Sequence, residues 1–206
     1  MAALVFSVAG CTAPHPGPTT TGTPAPGGGS ASSGATPPAE AQDERPALVL
    51  SLDNLTAIAP TGKPEDSVPV TDGSAVVAFL SQRLGHEPEV STIAQKAITT
   101  STWDGVTVTT RGTSSTIRIT ASRLGDYDVR VAEGITVGMT RGEAIALGAV
   151  AGPGSQLDEL RLDVREVAGT DSLAQPGTTG VDYVALSLSG DTVSALTAPA
   201  GDWRDL

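Results

Sequence analysis

The 206-residue chain predicts an α+β fold, an antiparallel sheet carrying short helices, behind a long unstructured leader. Three observations predict it: apolar residues alternate with threonine at period two, two short segments carry helix-cap residues ahead of an apolar stripe, and an early tract rich in Pro, Gly, Ser and Thr holds almost no large apolar side chain.

Residues 2–9 are a short apolar stretch ending in small side chains, the pattern of a secretory segment. No Lys or Arg precedes it, so residues 1–10 read as a truncated signal segment. Val8-Ala9-Gly10-Cys11 resembles the lipobox of bacterial lipoproteins, where processing leaves the cysteine as the new first residue and acylates it. The resemblance implies lipid attachment at Cys11, membrane lipid as a first partner, and a place on the extracytoplasmic face of the cell membrane. Two or more acyl chains anchor persistently where one does not, which would make the remainder a peripheral surface protein. Ordering the small-residue tract at 12–42 would cost entropy that no core offsets, so residues 11–46 are expected to be the lipidated cysteine and a disordered tether. Flexible-chain scaling gives that tether a span on the order of 30 Å.

The folded region is expected over residues 47–206. Residues 47–52 read as an opening strand, Asp53-Asn54 as a turn, and a second short strand runs through Ile58. Residues 60–69 read as a loop. Thr71 is expected to cap a helix whose stripe is Val76, Val77, Leu80 and Leu84, with Gly85 as its stop. Residues 90–98 fit neither period and read as helix or irregular packing. From Trp103 the period becomes two: Val106 and Val108, then Ile117 and Ile119, form a hairpin across Gly112-Thr113-Ser114-Ser115. Tyr127, Val129 and Val131 make a further strand.

Thr140 then caps a second short helix, with Glu143 at the reciprocal position of a capping box and Gly148 near its end. Leu160, Leu162 and Val164 alternate, Tyr183 joins Leu186 and Leu188 only after a slip, and residues 192–196 close a hairpin around Gly190-Asp191. An internal duplication organises these elements. Pro69-Val70-Thr71-Asp72-Gly73-Ser74-Ala75-Val76 aligns with Gly138-Met139-Thr140-Arg141-Gly142-Glu143-Ala144-Ile145, and the same offset brings Ile117 and Ile119 onto Leu186 and Leu188. Two tandem units are therefore expected, 47–131 and 132–206, each a capped helix laid on antiparallel strands.

The segment Gly138-Met139-Thr140-Arg141-Gly142-Glu143-Ala144 resembles the start of small secreted domains of the beta-lactamase inhibitor protein type and of bacterial outer-membrane assembly lipoproteins. That resemblance implies short helices paired with antiparallel sheet. Leu162-Asp163-Val164-Arg165-Glu166-Val167 and Gly169-Thr170-Asp171-Ser172-Leu173 resemble lipoproteins of high-GC Gram-positive bacteria over most of the folded region.

The formal charge of -11 disfavours nucleic acid and adsorption to an anionic membrane surface. One cysteine excludes an intramolecular disulfide, and no Cys/His cluster suits structural zinc. No glycine-rich turn ends in Gly-Lys-Ser/Thr, so a phosphate loop is excluded. His15 lies in the tether, and His86, between Gly85 and Glu87-Pro88, reads as a solvated post-helix turn or an acid-base group. Asp126 and Asp128 flank Tyr127 and are expected on one side of a strand, as a solvated acidic edge or a pair for acid chemistry or a cation. Trp203, beside Asp202, reads as a staple onto the domain or a partner-binding anchor.

These observations lead to a noncatalytic interaction module that binds an extracytoplasmic protein or a cell-wall component. No catalytic residue, metal ligand or cofactor is assigned. The alternative, a hydrolase or cell-wall-polymer enzyme, would be favoured by a deep groove joining His86 to Asp126 or Asp128.

Overall fold

In the computed structural model, which describes residues 45–153 and 158–203, the period-two segments become strands of two sheets. The chain runs β1 (Ala47–Leu50), β2 (Asn54–Ile58), β3 (Pro64–Pro69), α1 (Gly73–Leu84), β4 (Glu89–Ile93), β5 (Ile98–Trp103), β6 (Val106–Arg111), β7 (Ser114–Ile119), β8 (Arg123–Leu124) and β9 (Tyr127–Val131). It continues with α2 (Arg141–Ala146), β10 (Val150–Ala151), β11 (Glu159–Asp171), β12 (Thr179–Ser189) and β13 (Thr192–Gly201). The fold is α+β. A five-stranded sheet has the order β3-β2-β1-β9-β8, with β1 and β9 parallel. An antiparallel eight-stranded sheet has the order β10-β11-β12-β13-β7-β6-β5-β4.

That larger sheet is two meanders of four strands, each preceded by a helix: α1 then β4 to β7, and α2 then β10 to β13. They meet where Ile119, Arg118 and Ile117 of β7 lie opposite Leu196, Thr197 and Ala198 of β13. The helix-and-meander order therefore occurs twice, while the five-stranded sheet comes wholly from residues 47–131. The constant sequence offset does not survive: Ile117 lies on the last strand of its meander and Leu186 on the third of the other. The cause is length, since β11 and β12 have 13 and 11 residues where β5 and β6 have six each.

The two sheets and α1 share one core. Leu48, Leu50 and Leu55 of the small sheet, Val76, Phe79 and Leu80 of α1, and Val106, Val108, Ile117, Ile119, Leu186 and Leu196 of the large sheet are buried in a single cluster. Gly73, at the first turn of α1, is buried against β6 and β7: a Cβ there would lie 2.1 Å from the Thr110 methyl. At the other end Arg83 reaches Glu65 of β3 at 3.0 Å and lies over the Phe79 ring, so the last turn of α1 is tied to the small sheet. A cation suits that turn, where the helix dipole is negative.

Three local expectations need correction. The residue capping α1 is Asp72 and not Thr71: its Oδ1 accepts the Ala75 amide at 3.0 Å and the Ser74 hydroxyl at 2.7 Å. A carboxylate accepts these bonds more strongly than a hydroxyl and complements the helix N-terminus. Residues 64–69 are strand and not loop, pairing with β2 as an edge that tolerates prolines at its ends. Residues 90–98 are neither helix nor irregular, because β4 pairs with β5 through a short 3-10 turn at Ala94–Lys96. Every residue of β4 is exposed, so no burial period marks it.

Thr140 caps α2 as the sequence predicts, with its backbone amide donating to Glu143 Oε2 at 2.8 Å and its hydroxyl accepting from the Glu143 amide. The hairpin turn of β6 and β7 is tighter than expected, Gly112-Thr113 alone, and Ser115 is already strand, its hydroxyl donating to the Val70 carbonyl. At the β5–β6 turn, Gly105 has φ +81° and a Cβ would approach Ala121 Cβ to 2.6 Å, so glycine is required.

The caps give a test. The Ala75 amide, then the Ser74 hydroxyl, hold the Asp72 carboxyl below its ordinary value. Its contribution is therefore present above the unfolded carboxylate range, about pH 4, and lost as pH falls through the depressed folded value. Thermal melts should show Asp72→Ala destabilised at neutral pH and converging on wild type in acid, with Thr71→Ala unchanged at both.

Candidate functional site

The ladder register assigns each strand residue of the large sheet to a face. Trp103, Val106, Ile119, Leu196, Leu186 and Leu160 form one transverse row, all buried in the core. The adjacent row, Thr102, Thr107, Arg118, Thr197, Ala185 and Arg161, belongs to the opposite face. So does the row Thr100, Thr109 and Thr116. Thr102 and Arg118 are exposed, and the remaining threonines of these rows are half-buried.

Threonine explains both the fold and the character of this face. Its branched Cβ suits a strand, and its hydroxyl leaves the surface polar. Because its χ1 is restricted, holding it against a partner costs little side-chain entropy. Each hydroxyl can donate and accept, so the array can meet the carbonyls, amides or hydroxyls of a peptide or glycan. Thr116 donates to the Pro199 carbonyl at 3.3 Å and Arg118 to Ser187 Oγ at 3.4 Å, which braces the face across the meander seam.

Over β11 and β12 the same face is closed by the C-terminal segment. Arg161 is buried, its guanidinium stacked 4.0 Å from the centre of the Tyr183 ring, its Nε donating to Glu159 Oε1 at 3.0 Å and its Nη1 3.6 Å from Asp202 Oδ2. Asp202 also accepts the Ser172 hydroxyl and the Val181 amide, both at 2.8 Å. Burial above all, then the negative charge of Glu159, pushes the Tyr183 phenol well above its ordinary value. Trp203 is half-buried against Gly180, where a Cβ would come within 2.3 Å of Trp203 Cβ, and its indole donates to Asp182 Oδ1 at 2.8 Å. This geometry is that of a staple. Sequence reasoning missed Arg161 and Asp202, because a period-two reading puts Arg161 on a solvent face and only the distant C-terminal segment buries it.

The candidate catalytic groups are not brought together. His86 is exposed in a groove of about 450 Å³ lined by Glu87, Glu89, Thr102, Trp103 and Asp104, and Trp103 Nε1 donates to its carbonyl. Neither Asp126 nor Asp128 lines that groove. Asp126 sits in the turn between β8 and β9 and not on the strand expected, while Asp128 lies opposite Arg123 and 3.6 Å from its Nε. Among the described residues no group of three or more His, Cys, Asp or Glu is placed to hold a metal ion, and no helix is long and apolar enough to cross a membrane. Cys11 and the tether at residues 11–44 lie outside the described residues.

Comparison with family models, curated proteins and solved structures finds no match to this chain.

The C-terminal staple yields two expectations. Gly180→Ala should displace Trp203, cost about 1–3 kcal/mol by overpacking, and make tryptophan fluorescence more accessible to a soluble quencher while Trp103 stays protected. Tyr183 is neutral in the folded protein well beyond its unfolded value of about 10, so its contribution is complete below that pH and falls as pH rises through it. Alkaline melts should therefore lose stability above about pH 10, and Tyr183→Phe should flatten that limb.

Proposed function

We propose that this chain is a noncatalytic interaction module, lipid-anchored through Cys11 on the extracytoplasmic face of the cell membrane, that presents the threonine face of its large sheet to an extracytoplasmic protein or a cell-wall component. The observation that carries this reading is the unequal treatment of that face: the C-terminal segment covers it over β11 and β12, while among the described residues Thr102 and Arg118 stay exposed and Thr100, Thr107, Thr109 and Thr116 half-buried. A polar, braced, rotamer-poor surface supports recognition by hydrogen bonding. The anchor rests on Val8-Ala9-Gly10-Cys11 and the small-residue tract behind it. The hydrolase reading would be favoured by a groove joining His86 to Asp126 or Asp128, and the carboxylates beside His86 are instead Glu87, Glu89 and Asp104 on an open rim.

Two measurements test the parts separately. Mass spectrometry of the mature protein should find residues 1–10 removed and Cys11 acylated; an unmodified Cys11 in correctly initiated native protein defeats the anchor. Capture from native membranes with the tether intact should retain a partner through chelation and through His86→Ala. The Thr102→Arg, Thr107→Glu double variant, which alternates charge along the row that ends at Arg118, should lose that partner with the melting temperature little changed, and retention by this variant would move recognition off the sheet face.

A further inference from the structure

The four sheet edges are finished very differently. β8 and β10 have two residues each, and β3 carries Glu65 and Asp66 between prolines at both ends and a register irregularity against β2. Shortness, charge, proline and bulges are the devices by which proteins keep edges from pairing. The edge at β4 carries only one of these, the charge of Glu89 at its first position: it is five residues, Glu89-Val90-Ser91-Thr92-Ile93, free of proline and regularly paired with β5 from Glu89↔Thr102 to Ile93↔Ile98. Its two large apolar side chains are 63% exposed at Val90 and 51% at Ile93. Among the described residues no strand pairs its outer side.

We infer that β4 is a self-association edge, on which a second copy of this chain docks by antiparallel pairing of β4 with itself about Ser91. A dyad normal to the sheet keeps equivalent faces together, which is the isologous arrangement of a closed dimer. In that register Glu89 lies opposite Ile93 of the second copy, and Val90 opposite Thr92. Each exposed apolar side chain gains a cross-strand neighbour, and no two like charges face each other. The ends are complementary as well: Glu87 and Glu89 stand at one end of β4 and Lys96 just beyond the other, so antiparallel pairing lays the acidic end of one copy beside the basic end of the next. The charge of -11 on each chain opposes association at long range, but at physiological salt the screening length is about 8 Å and the local match decides. The result is one sheet continuous across two copies, with both threonine faces on the same side.

The register makes the test specific. Residues 89 and 93 are too far apart along one strand to pair within a chain, so any coupling between them must come from the second copy. Sedimentation equilibrium of the full chain carrying Cys11→Ser, which removes the acylation site, should show a dimer. Ile93→Glu places Glu opposite Glu89 twice per dimer and should weaken association about tenfold or more. Adding Glu89→Lys to Ile93→Glu should restore it. Both positions are exposed, and circular dichroism should show all variants folded. Hydrogen exchange at residues 89–93 should slow with rising protein concentration in the starting protein and in the rescued variant, and not in Ile93→Glu. A chain that stays monomeric at about 100 µM overturns the inference, as does a dimer indifferent to Ile93→Glu. Protection of β4 that arises only with a different protein assigns the edge to that protein and equally overturns it.

Discussion

Each four-stranded meander has one apolar face and two edges, and the pairing of Ile117, Arg118 and Ile119 with Ala198, Thr197 and Leu196 closes one edge of each and joins the two faces at once. It gives β7 and β13 their missing hydrogen-bond partners and makes the apolar row from Trp103 to Leu160 continuous. Two half-sheets that could not each bury a face thereby share the core supplied by α1 and the small sheet. The polar face follows from the same register, since a one-residue slip at this seam would turn Arg118 into the core and Ile119 out to solvent.

How much of this was legible in the sequence depends on whether the signal was local. The Thr140–Glu143 capping box needs only four residues and could be read directly, as could the Val-Thr alternation of β6. Asp72 was adjacent to the residue chosen as cap, and chemistry favours the carboxylate where both residues can serve. β4 could not be read because periodicity reports burial, and an edge strand exposed on both faces has nothing to report. The repeated helix-and-meander order was legible at the helix starts and lost downstream, where the long β11–β12 hairpin shifts every later position. On the candidate site the division is similar. The threonines follow from alternation, whereas the burial of Arg161 depends on Asp202, forty-one residues away, and no local pattern carries it.

Two arginine clusters illustrate what position does to an ion pair. Arg165 bonds both carboxylate oxygens of Asp53, at 2.9 and 2.8 Å, and reaches Asp163, whose φ of +49° marks the bulge in β11. Asp53 first and Asp163 second raise the Arg165 guanidinium above its ordinary value. Half-exposed to water, this clamp contributes modestly to stability and chiefly fixes the bulge beside the β1–β2 turn. Arg161 is the converse. With 4% of its side chain exposed, it depends on Glu159, Asp202 and the Tyr183 ring, and removing one of them leaves charge in a dry site at a cost of about 3 kcal/mol or more.

The connectivity also sets a schedule. All strands of the small sheet, including the parallel neighbours β1 and β9, have been synthesised by residue 131, so that sheet and α1 can close while the rest of the chain is still emerging. β7 must wait for β13, the last of the described strands. While it is being made the chain therefore carries an open apolar edge at Ile117 and Ile119 until β13 emerges, and that interval is when misassembly threatens and a holding factor would act.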